Sequence, residues 1–286
     1  MVKSRSSVSI VIPHFNQGRQ LQRCLKLLLP MLLPGDEVVI IDDKSNFFPN
    51  IEDIYGPWVR VVYLEVNSGP SNARNIGASI AKNDFVAFLD ADDYPVPTRF
   101  DDQVNFLARN PECLGCVGGY LYQRDGRGKS KSVRSESSSI YRDVCGGSIF
   151  AAGSTLMFRR ESFLALGGYD ITLRVYEDWD LLLRTRPFGS LGHCGCGIAE
   201  ISPSSRRAST AQRLRALEVV FSRHSELLSK SELSLFRQAI AYEKASAYFG
   251  DGKKIQAIIE LFSACTEAPV VVARRLLRRL LFGAPL

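Results

Sequence analysis

Three aspartates stand within four positions, directly after an apolar run, in the segment Phe88–Pro95 (FLDADDYP). Carboxylates so close together raise one another's pKa and destabilise a fold unless a cation or water compensates their charge. Carboxylate oxygens are also the ligands that hard divalent cations prefer. Asp90, Asp92 and Asp93 therefore mark a site for a divalent metal, for a basic partner or only for solvent.

A second acidic cluster lies in the segment Tyr176–Arg184 (YEDWDLLLR), where Glu177, Asp178 and Asp180 precede an apolar helical run. A positioned carboxylate can accept the proton of a reacting hydroxyl group. Carboxylates also decorate the first turn of many helices, because the helix dipole favours negative charge at that end. The pattern alone leaves both interpretations open.

The elements that must position these clusters alternate between strands and helices over residues 1–120. Helices are predicted from Gln17 to Leu33 and from Ser71 to Ala81. The predicted strands are continuous apolar runs: Val8–Ile12, Asp36–Ile41, Val59–Leu64 and Phe85–Leu89. Strands without polar alternation, separated by helices, are typical of a parallel sheet that is covered on both faces. The predicted fold class is therefore α/β.

Unusual polar residues stand at four consecutive junctions between these strands and helices. They are Pro13–Asn16 (PHFN), Asp42–Asp43, Asn67–Ser71 (NSGPS) and the aspartates that begin at Asp90. Ligands of parallel sheets bind at the carboxyl ends of the strands, which is where these residues are placed. A single junction of this kind could be a plain turn or a helix cap. Their joint occurrence predicts one ligand site at that edge of the sheet.

The composition is that of an ordinary soluble protein with a basic C-terminal part. The chain has 286 residues, 45% of them hydrophobic, and a formal net charge of +6. Residues 201–286 carry 14 Lys and Arg against 7 Asp and Glu. No apolar stretch reaches the roughly 20 residues of a membrane helix, and the N-terminus lacks the apolar core of a signal peptide. A cytoplasmic location is therefore expected, with no sign of a nucleic-acid partner.

Seven cysteines, an odd number without an export signal, indicate reduced thiols rather than a disulfide framework. Cys113 and Cys116 could be combined with His193, Cys194 and Cys196 into a zinc site. The two groups lie far apart, however, and no second Cys-x-x-Cys completes the pattern. Buried structural cysteines are the preferred interpretation.

Five segments together resemble family 2 inverting glycosyltransferases with the GT-A fold. They are VSIVIPHFN, EVVIIDDKS, SGPSNARNIG, FVAFLDADD and GGYDITLRVYEDWDLLLR, which occur in the family's order and spacing between about Ser7 and Arg186. The resemblance implies a GT-A-type, mostly parallel sheet with flanking helices, followed by a helical C-terminal region. It implies a catalytic domain over residues 1–200 and a helical extension over residues 201–286.

The resemblance also implies how a nucleotide-sugar donor binds. Pro13, Phe15 and Asp43 would line the nucleobase site. Arg74 and Asn75 would lie near the ribose and the diphosphate. Uridine diphosphate is the nucleotide expected from the family, with guanosine and thymidine diphosphates as alternatives.

The same resemblance implies a separate role for each of the two acidic clusters. Asp90 and Asp92 would bind a divalent metal, Mn²⁺ or Mg²⁺, on the donor diphosphate, with Asp93 as a further ligand or a supporting group. Asp178 would be the catalytic base that deprotonates the acceptor hydroxyl. Glu177 would orient Asp178 or serve the acceptor.

The implied reaction is sugar transfer to a glycan or a lipid-linked glycan in surface glycan or polysaccharide biosynthesis. The Gln-x-x-Arg-Trp motif of processive synthases is missing, which favours transfer of one or a few sugars. His14 and Phe15 depart from the family, where a small residue followed by tyrosine is frequent at these positions. No phosphate-binding Gly-rich loop follows the first strand, which argues against ordinary nucleotide hydrolases and dehydrogenases. Two alternatives are a haloacid-dehalogenase-like phosphatase with Asp90 as nucleophile and a non-catalytic, glycosyltransferase-like binding scaffold.

The last 20 residues predict a basic amphipathic helix. On a helical wheel, one arc carries Ala273, Leu276, Leu277, Leu280 and Leu281, and the opposite arc carries Arg274, Arg275, Arg278 and Arg279. Helices of this kind lie in the interface of anionic membranes, which would place the protein peripherally at the inner face of the membrane. Packing on the domain, pairing of two protomers through the C-terminal helices and docking on a partner protein are the alternatives.

Overall fold

The structure is a computed structural model, which describes residues 5–51, 56–124, 127–131, 140–147, 153–201 and 208–267. The chain divides into two compact units. The first, here called the sheet unit, comprises Met1–Ile140, Phe150–Leu173 and Glu177–Ser205. The second, the helical unit, comprises Tyr141–Ile149, Arg174–Tyr176 and Arg206–Leu286. The boundary at residue 200 stays a prediction, and the sequence did not indicate that residues 141–149 and 174–176 belong to the second unit.

One sheet organises the sheet unit. Its strands are β1 (Val8–His14), β2 (Glu37–Asp42), β3 (Val59–Tyr63), β4 (Phe85–Phe88), β5 (Tyr94–Pro95), β6 (Cys113–Arg124), β7 (Arg127–Lys131), β8 (Leu156–Arg159) and β9 (Ser190–Ile201). Their order is β3-β2-β1-β4-β8-β6-β9-β5, with β7 paired to β6. The first four strands are parallel to one another. Every antiparallel pair involves one of the later strands, β5 to β9.

The predicted α/β class, with a mostly parallel sheet and a helical C-terminal region, is confirmed. All seven residues of β1 are buried, as are all six of β2. This agrees with their continuous apolar sequence, because a central strand covered on both faces has no solvent-facing side. The antiparallel pairs were not predicted, since the pairing partners of β6, β8 and β9 are remote in sequence.

The helices cover the sheet and build the second unit. They are α1 (Gly18–Leu28), α2 (Pro70–Ile80), α3 (Arg99–Arg109), α4 (Ile140–Cys145), α5 (Arg160–Ala165), α6 (Glu177–Arg184), α7 (Thr210–His224), α8 (Lys230–Gly250) and α9 (Lys254–Glu267). Short 3₁₀ turns span Leu29–Met31, Gly153–Thr155 and Ser225–Leu227. Helix α1 buries Leu21, Cys24, Leu25 and Leu28, the apolar face that its sequence predicts.

The helical unit is built from capped helices around a polar cluster. Ser209 and Ser229 cap α7 and α8 with complete capping boxes, which satisfy the free N–H groups at each helix start. The Tyr176 hydroxyl donates to Glu243 Oε2 at 2.7 Å, and Arg213 donates to both groups. Among the described residues, no helix combines the length and the apolar character that crossing a membrane requires.

Helix α2 packs closely against β1 at Gly77. A Cβ atom at this position would lie 2.3 Å from Cγ1 of Val11, a buried and β-branched side chain. The contact matters for the site described below, because α2 also carries Arg74 and Asn75. Glycine at position 77 therefore sets the distance between those side chains and the sheet.

We predict that Gly77→Ala destabilises the protein. Overpacking against a stiff buried side chain costs about 1–3 kcal/mol, which exceeds the gain of roughly 1 kcal/mol in helix propensity. Chemical denaturation measures the free energy of unfolding. Ser79→Ala, at an exposed position of the same helix, is the control and should change it by less than about 0.5 kcal/mol. A Gly77→Ala protein as stable as the wild type would contradict the close contact.

Candidate active site

The carboxyl ends of β1, β2 and β4 carry the predicted polar residues, as the sequence indicated. Backbone hydrogen bonds hold these ends together: the Asp43 amide donates to the His14 carbonyl at 2.8 Å, and the Leu89 amide donates to the Val11 carbonyl at 3.0 Å. The residues that follow the strands therefore share one edge of the sheet. The middle of α2 carries Arg74 and Asn75, and the N-terminal end of α6 carries Glu177 and Asp178, which are the remaining predicted site residues.

Asp43 fixes the turn that opens α2. Its Oδ1 accepts from the Ser68 amide at 2.7 Å, and its Oδ2 accepts from the Gly69 amide at 2.7 Å. Gly69 has a φ of 92°, a conformation that favours glycine. The Asp43 carboxylate is buried and engaged with this turn, so its role toward a nucleobase stays a prediction.

The contacts of the His14 side chain give a structural reason for a histidine at this position. Its Nε2 accepts from the Gln17 amide at 3.2 Å, which leaves the proton on Nδ1. Nδ1 then donates to Asp42 Oδ1 at 2.7 Å. The buried ring thereby ties the end of β1 to the end of β2. Pro13 is buried and Phe15 half-buried on either side of it.

Asp92 lies beside Asp90 and accepts from the side chain of Gln17. The Gln17 Nε2 to Asp92 Oδ2 distance is 3.1 Å. Burial and the charge of Asp90 raise the pKa of Asp92, although Gln17 and Arg74 oppose this effect. Two neighbouring carboxylates, one of which keeps a raised pKa, are suited to a cation.

Asp93 is placed differently from the other two aspartates of its cluster. Its buried carboxylate accepts from the Ser154 hydroxyl at 2.5 Å. The Ser154 hydroxyl in turn accepts from the Asp90 amide at 2.9 Å. Asp93 therefore supports the loop that presents Asp90, and a role as metal ligand stays a prediction.

Arg74 joins the two acidic clusters. Its buried guanidinium contacts Asp90 Oδ1 at 2.6 Å through Nη2, and Nη1 lies 3.6 Å from Glu177 Oε1. The guanidinium carbon also lies 5.2 Å from the centre of the Tyr169 ring. Burial lowers the pKa of Arg74, but the surrounding acidic groups raise it by more, so its pKa lies well above its ordinary value. Arg74 is therefore a permanent cation between the clusters.

Tyr169 holds Asp178, and Asn75 holds Tyr169. The Tyr169 hydroxyl donates to Asp178 Oδ1 at 2.9 Å. The Asn75 amide group bonds both the N–H and the carbonyl of Tyr169, each at 2.8 Å. The preceding Gly168 has a φ of 67°, and a Cβ there would lie 2.4 Å from Asn75 Oδ1. Asn75 thus anchors the turn before α6, and its predicted place near the donor stays untested.

The predicted base, Asp178, has an unusual pKa. Burial and the neighbouring charge of Glu177 raise the pKa of Asp178 to about 8, while Arg74 and the Tyr169 hydroxyl oppose the shift. A carboxylate with a raised pKa holds a transferred proton more strongly than an ordinary one. The environment of Asp178 therefore suits proton acceptance.

Asp180, in the same helical turn, is occupied with a structural contact. Arg184 Nε donates to Asp180 Oδ2 at 2.8 Å, and Asp180 is fully buried. The same arginine donates to the carbonyls of Leu166 and Gly168. Asp180 is thus a fixed ion-pair partner that stabilises the turn before Tyr169.

Sequence reasoning missed two supporting residues, Gln17 and Tyr169. Gln17 carries a common polar side chain, and no local pattern distinguishes it from a surface residue. Tyr169 stands in the segment GGYD, where two consecutive glycines are a sequence signal for a turn, and both have positive φ in the structure. The contact of its hydroxyl with Asp178 depends on the fold and was not readable from that signal.

We predict that Asp178→Asn stabilises the protein increasingly as the pH rises. The folded-state pKa of about 8 exceeds the unfolded value of about 3.9, so the folded state binds the proton more strongly. Stability from this group is present below pH 4 and is lost as the pH rises toward 8. The Tm difference between variant and wild type, measured from pH 5 to 9, should therefore grow up to about pH 8.

Asp180→Asn is the matched control, because it removes the same charge from the same helical turn. It breaks the buried pair with Arg184, so its Tm should fall below that of the wild type. A constant Tm difference for Asp178→Asn across the pH range would show that its pKa is not raised.

Comparisons with known proteins point to one family. The sequence model described as Glycosyl transferase family 2 matches residues 9–167. An uncharacterized glycosyltransferase of Haemophilus influenzae is 27% identical over 186 residues, which cover 62% of this chain and 61% of that protein. Poly(ribitol-phosphate) beta-N-acetylglucosaminyltransferase TarP of Staphylococcus aureus is 31% identical over 163 residues, 55% of this chain and 50% of TarP. The chain thus spans between half and two thirds of the length of these two relatives.

A third relative matches over most of its length. Amylovoran biosynthesis glycosyltransferase AmsE of Erwinia amylovora is 26% identical over 254 residues, 82% of this chain and 86% of AmsE. Among solved structures, S. aureus TarS 1–349 in complex with UDP-GlcNAc superposes with a TM-score of 0.66 at 19% identity, covering 93% of this chain and 82% of that one. This likeness shows the fold. Since the family match covers more than half of the 286 residues, the chain belongs to glycosyl transferase family 2 and has its GT-A fold.

Proposed function

We propose that the chain transfers a sugar, with inversion, from a nucleoside diphosphate donor to a hydroxyl group of a glycan or lipid-linked glycan. The observation that carries the proposal is the bridge formed by Arg74. It brings the Asp90 cluster and the Glu177–Asp178 pair, far apart in sequence, to one buried cation. A transferase needs such proximity, because the donor diphosphate and the acceptor proton are handled within one sugar ring of each other.

A uridine diphosphate sugar is the donor we propose. TarS was solved with UDP-GlcNAc, and the name of TarP describes transfer of N-acetylglucosamine. On this chain, Nε and Nη1 of Arg74 are buried and have no hydrogen-bond acceptor among the described residues. A phosphate or ribose oxygen of the donor would supply one. The names of TarP, AmsE and a putative teichuronic acid glycosyltransferase of Bacillus subtilis favour an acceptor in surface polysaccharide biosynthesis.

A divalent metal, Mn²⁺ or Mg²⁺, fits the residues at the carboxyl end of β4. Asp90 and Asp92 offer two adjacent carboxylates, and the pKa of Asp92 is raised by burial and by Asp90. In the described part of the chain, no three His, Cys, Asp or Glu side chains form a complete metal site. Proteins commonly supply one or two carboxylate ligands to such a metal when a substrate diphosphate provides further oxygen ligands. When bound, such a cation would neutralise charge that develops on the leaving diphosphate.

Asp178 is the proposed base for the acceptor. The Tyr169 hydroxyl binds Oδ1 and fixes the carboxylate, so we assign the acceptor proton to Oδ2. The raised pKa of Asp178 gives this oxygen the basicity to take the proton as the new glycosidic bond forms. Glu177 raises that pKa and contacts Arg74, which makes it a positioning residue for the pair.

The sequence left two alternatives open, a phosphatase and a non-catalytic scaffold. Family membership assigns the chain to the glycosyltransferases, and the carboxylate of Asp90 is held by Arg74, so we do not retain a phosphatase with Asp90 as nucleophile. A non-catalytic scaffold would have the same fold, so an activity assay is what distinguishes it from an enzyme. A panel of sugar nucleotides with Mn²⁺, with and without glycan acceptors, tests it by nucleotide release. Release from no donor would contradict the proposed function.

We predict that Asp92→Asn loses donor turnover but keeps the fold. The variant preserves the size of the side chain and can still accept the hydrogen bond from Gln17. It removes one of the two negative charges proposed to bind the metal. Metal-dependent nucleotide release should fall by about 100-fold or more, while the Tm without metal should hold or rise as repulsion with Asp90 is relieved. Activity within a few-fold of wild type, still abolished by EDTA, would show that Asp92 is not a principal ligand.

We predict that Asp178→Asn lowers kcat about 1,000-fold with donor affinity kept, because positioned proton transfer is lost. In the wild type, kcat/KM should rise with pH up to about 8 as Asp178 loses its proton. Asp180→Asn, assayed well below its Tm, should lose far less and keep that pH profile. Strong loss in the Asp180 variant together with an active Asp178 variant would refute the assignment of the base.

A further inference from the structure

Helix α1 presents a surface on which every charged side chain is positive. Arg19, Arg23 and Lys26 are exposed and follow one another at i, i+4 and i+7, which places them on one side of the helix. The helix contains no acidic residue. Within the described part of the chain, no carboxylate forms an ion pair with any of the three. This surface, here called the α1 basic face, spans about 10 Å along the helix axis.

The α1 basic face begins beside the aspartate cluster of the candidate active site. The guanidinium carbon of Arg23 lies 4.8 Å from the centre of the Tyr94 ring, and Tyr94 directly follows Asp93. At the start of the helix, the side chain of Gln17 donates to Asp92. The positive charges therefore lead from the edge of the sheet that carries the site along the outside of the sheet unit.

A pocket of about 450 Å³ adjoins this face at Arg19. Its lining includes four amide side chains and an aromatic ring that is 75% exposed: Asn16, Gln22, Asn46, Asn50 and Phe47. Amide groups donate to and accept from hydroxyl groups, and an aromatic ring can cover the apolar C–H face of a sugar ring. None of the residues predicted to bind the donor lines this pocket. The pocket is therefore suited to a sugar unit other than that of the donor.

We propose that the α1 basic face and this pocket bind an anionic glycan, which carries phosphate or carboxylate groups along its chain. A surface with charge of one sign raises the local concentration of ligands with the opposite charge. Successive cations of the face are separated by about 5–6 Å along the helix. A glycan with an anionic group in each repeat can therefore meet more than one of them while one of its sugars occupies the pocket.

The packing of α1 disfavours a membrane as the occupant. A helix that binds a bilayer interface inserts its apolar side. The residues of that side are fully buried in the sheet unit: Leu21, Cys24, Leu25 and Leu28. Of the large apolar residues of α1, Leu27 alone is exposed, at 43%. A second copy of the chain would bring like charges together, which opposes pairing. The basic amphipathic helix predicted for residues 273–281 lies outside the described residues and takes no part in this site.

The proposed function makes this glycan the acceptor. The α1 basic face would hold a part of the acceptor chain that is remote from the reacting hydroxyl group. This assignment to the acceptor rests on the proposed function, whereas the binding itself does not. Binding is measured without a donor, so the two proposals can fail separately.

Fluorescence anisotropy of labelled oligosaccharides with the full-length protein tests the binding. Phosphomannan and polygalacturonate are the phosphate and carboxylate probes, and dextran is the neutral control. We expect at least one anionic probe to bind, with loss of binding in high salt, and dextran not to bind. Arg19→Gln/Arg23→Gln should weaken binding at least about tenfold, because two exposed charge contacts are lost. The matched control, Lys82→Gln/Arg109→Gln, removes the same charge from exposed positions outside α1 and should change binding less than about twofold.

Phe47→Ala distinguishes recognition of a glycan from attraction of any polyanion. The ring is largely exposed, so its removal should leave the fold intact. The variant should bind the anionic glycan several-fold more weakly than the wild type does, since the contact with the sugar ring is lost. Its residual affinity for polyglutamate, which carries carboxylates but no sugar, should be unchanged.

Four results would overturn the proposal: no salt-dependent binding of either anionic glycan, equal affinities of the α1 variant and its control, no effect of Phe47→Ala, or binding of polyglutamate as tight as that of the glycans. Flotation with phosphatidylglycerol vesicles that the α1 variant loses would assign the face to a membrane instead. Glycan binding without nucleotide release from any donor would overturn the proposed function alone. Nucleotide release without glycan binding would overturn this site alone.

Discussion

The buried guanidinium of Arg74 is the interaction on which the rest of the site depends. Removing a cation from water costs several kcal/mol, and only well-placed counter-charges recover that cost. Asp90 and Glu177 are those counter-charges, and the face of Tyr169 lies against the same group. Contacts with both acidic clusters therefore offset the cost of burying Arg74 at this point of α2.

The same charge arrangement sets the chemistry of the proposed base. Asp178 is half-buried beside Glu177, and both effects favour its protonated form, whereas Arg74 and the Tyr169 hydroxyl favour the carboxylate. The balance leaves a raised pKa, which means that the ionised carboxylate of Asp178 is under electrostatic strain in the folded protein. Such strain is expected where a group must accept a proton, because a fully stabilised carboxylate would be too weak a base.

A layer of hydrogen-bonded side chains holds the charged groups in place. Ser154 supports the Asp90 loop, and Asn75 supports the turn that carries Tyr169. Arg184 and Asp180 pair beneath the same turn. Each of these residues contacts an acidic side chain or the backbone beside it. Several separate contacts therefore hold the acidic side chains in position. The arrangement agrees with sites in which precision comes from supporting contacts rather than from the reacting groups alone.

The sequence by itself determined the parallel first four strands of the sheet, their polar edge and the identity of the acidic clusters. Strand and helix periodicity are local properties, and parallel strands with covered faces must be apolar throughout, so β1, β2 and β4 were readable. Tertiary structure alone decided which partner each aspartate contacts. Asp93 meets Ser154 from 61 positions away, and Asn75 meets Tyr169 from 94 positions away. Asp178 and Asp180 share one helical turn and one residue type, and only the fold gives one of them a tyrosine hydroxyl and the other an arginine. Side-chain identity limits what a residue can bind, but distance in space, which local sequence does not encode, selects the partner.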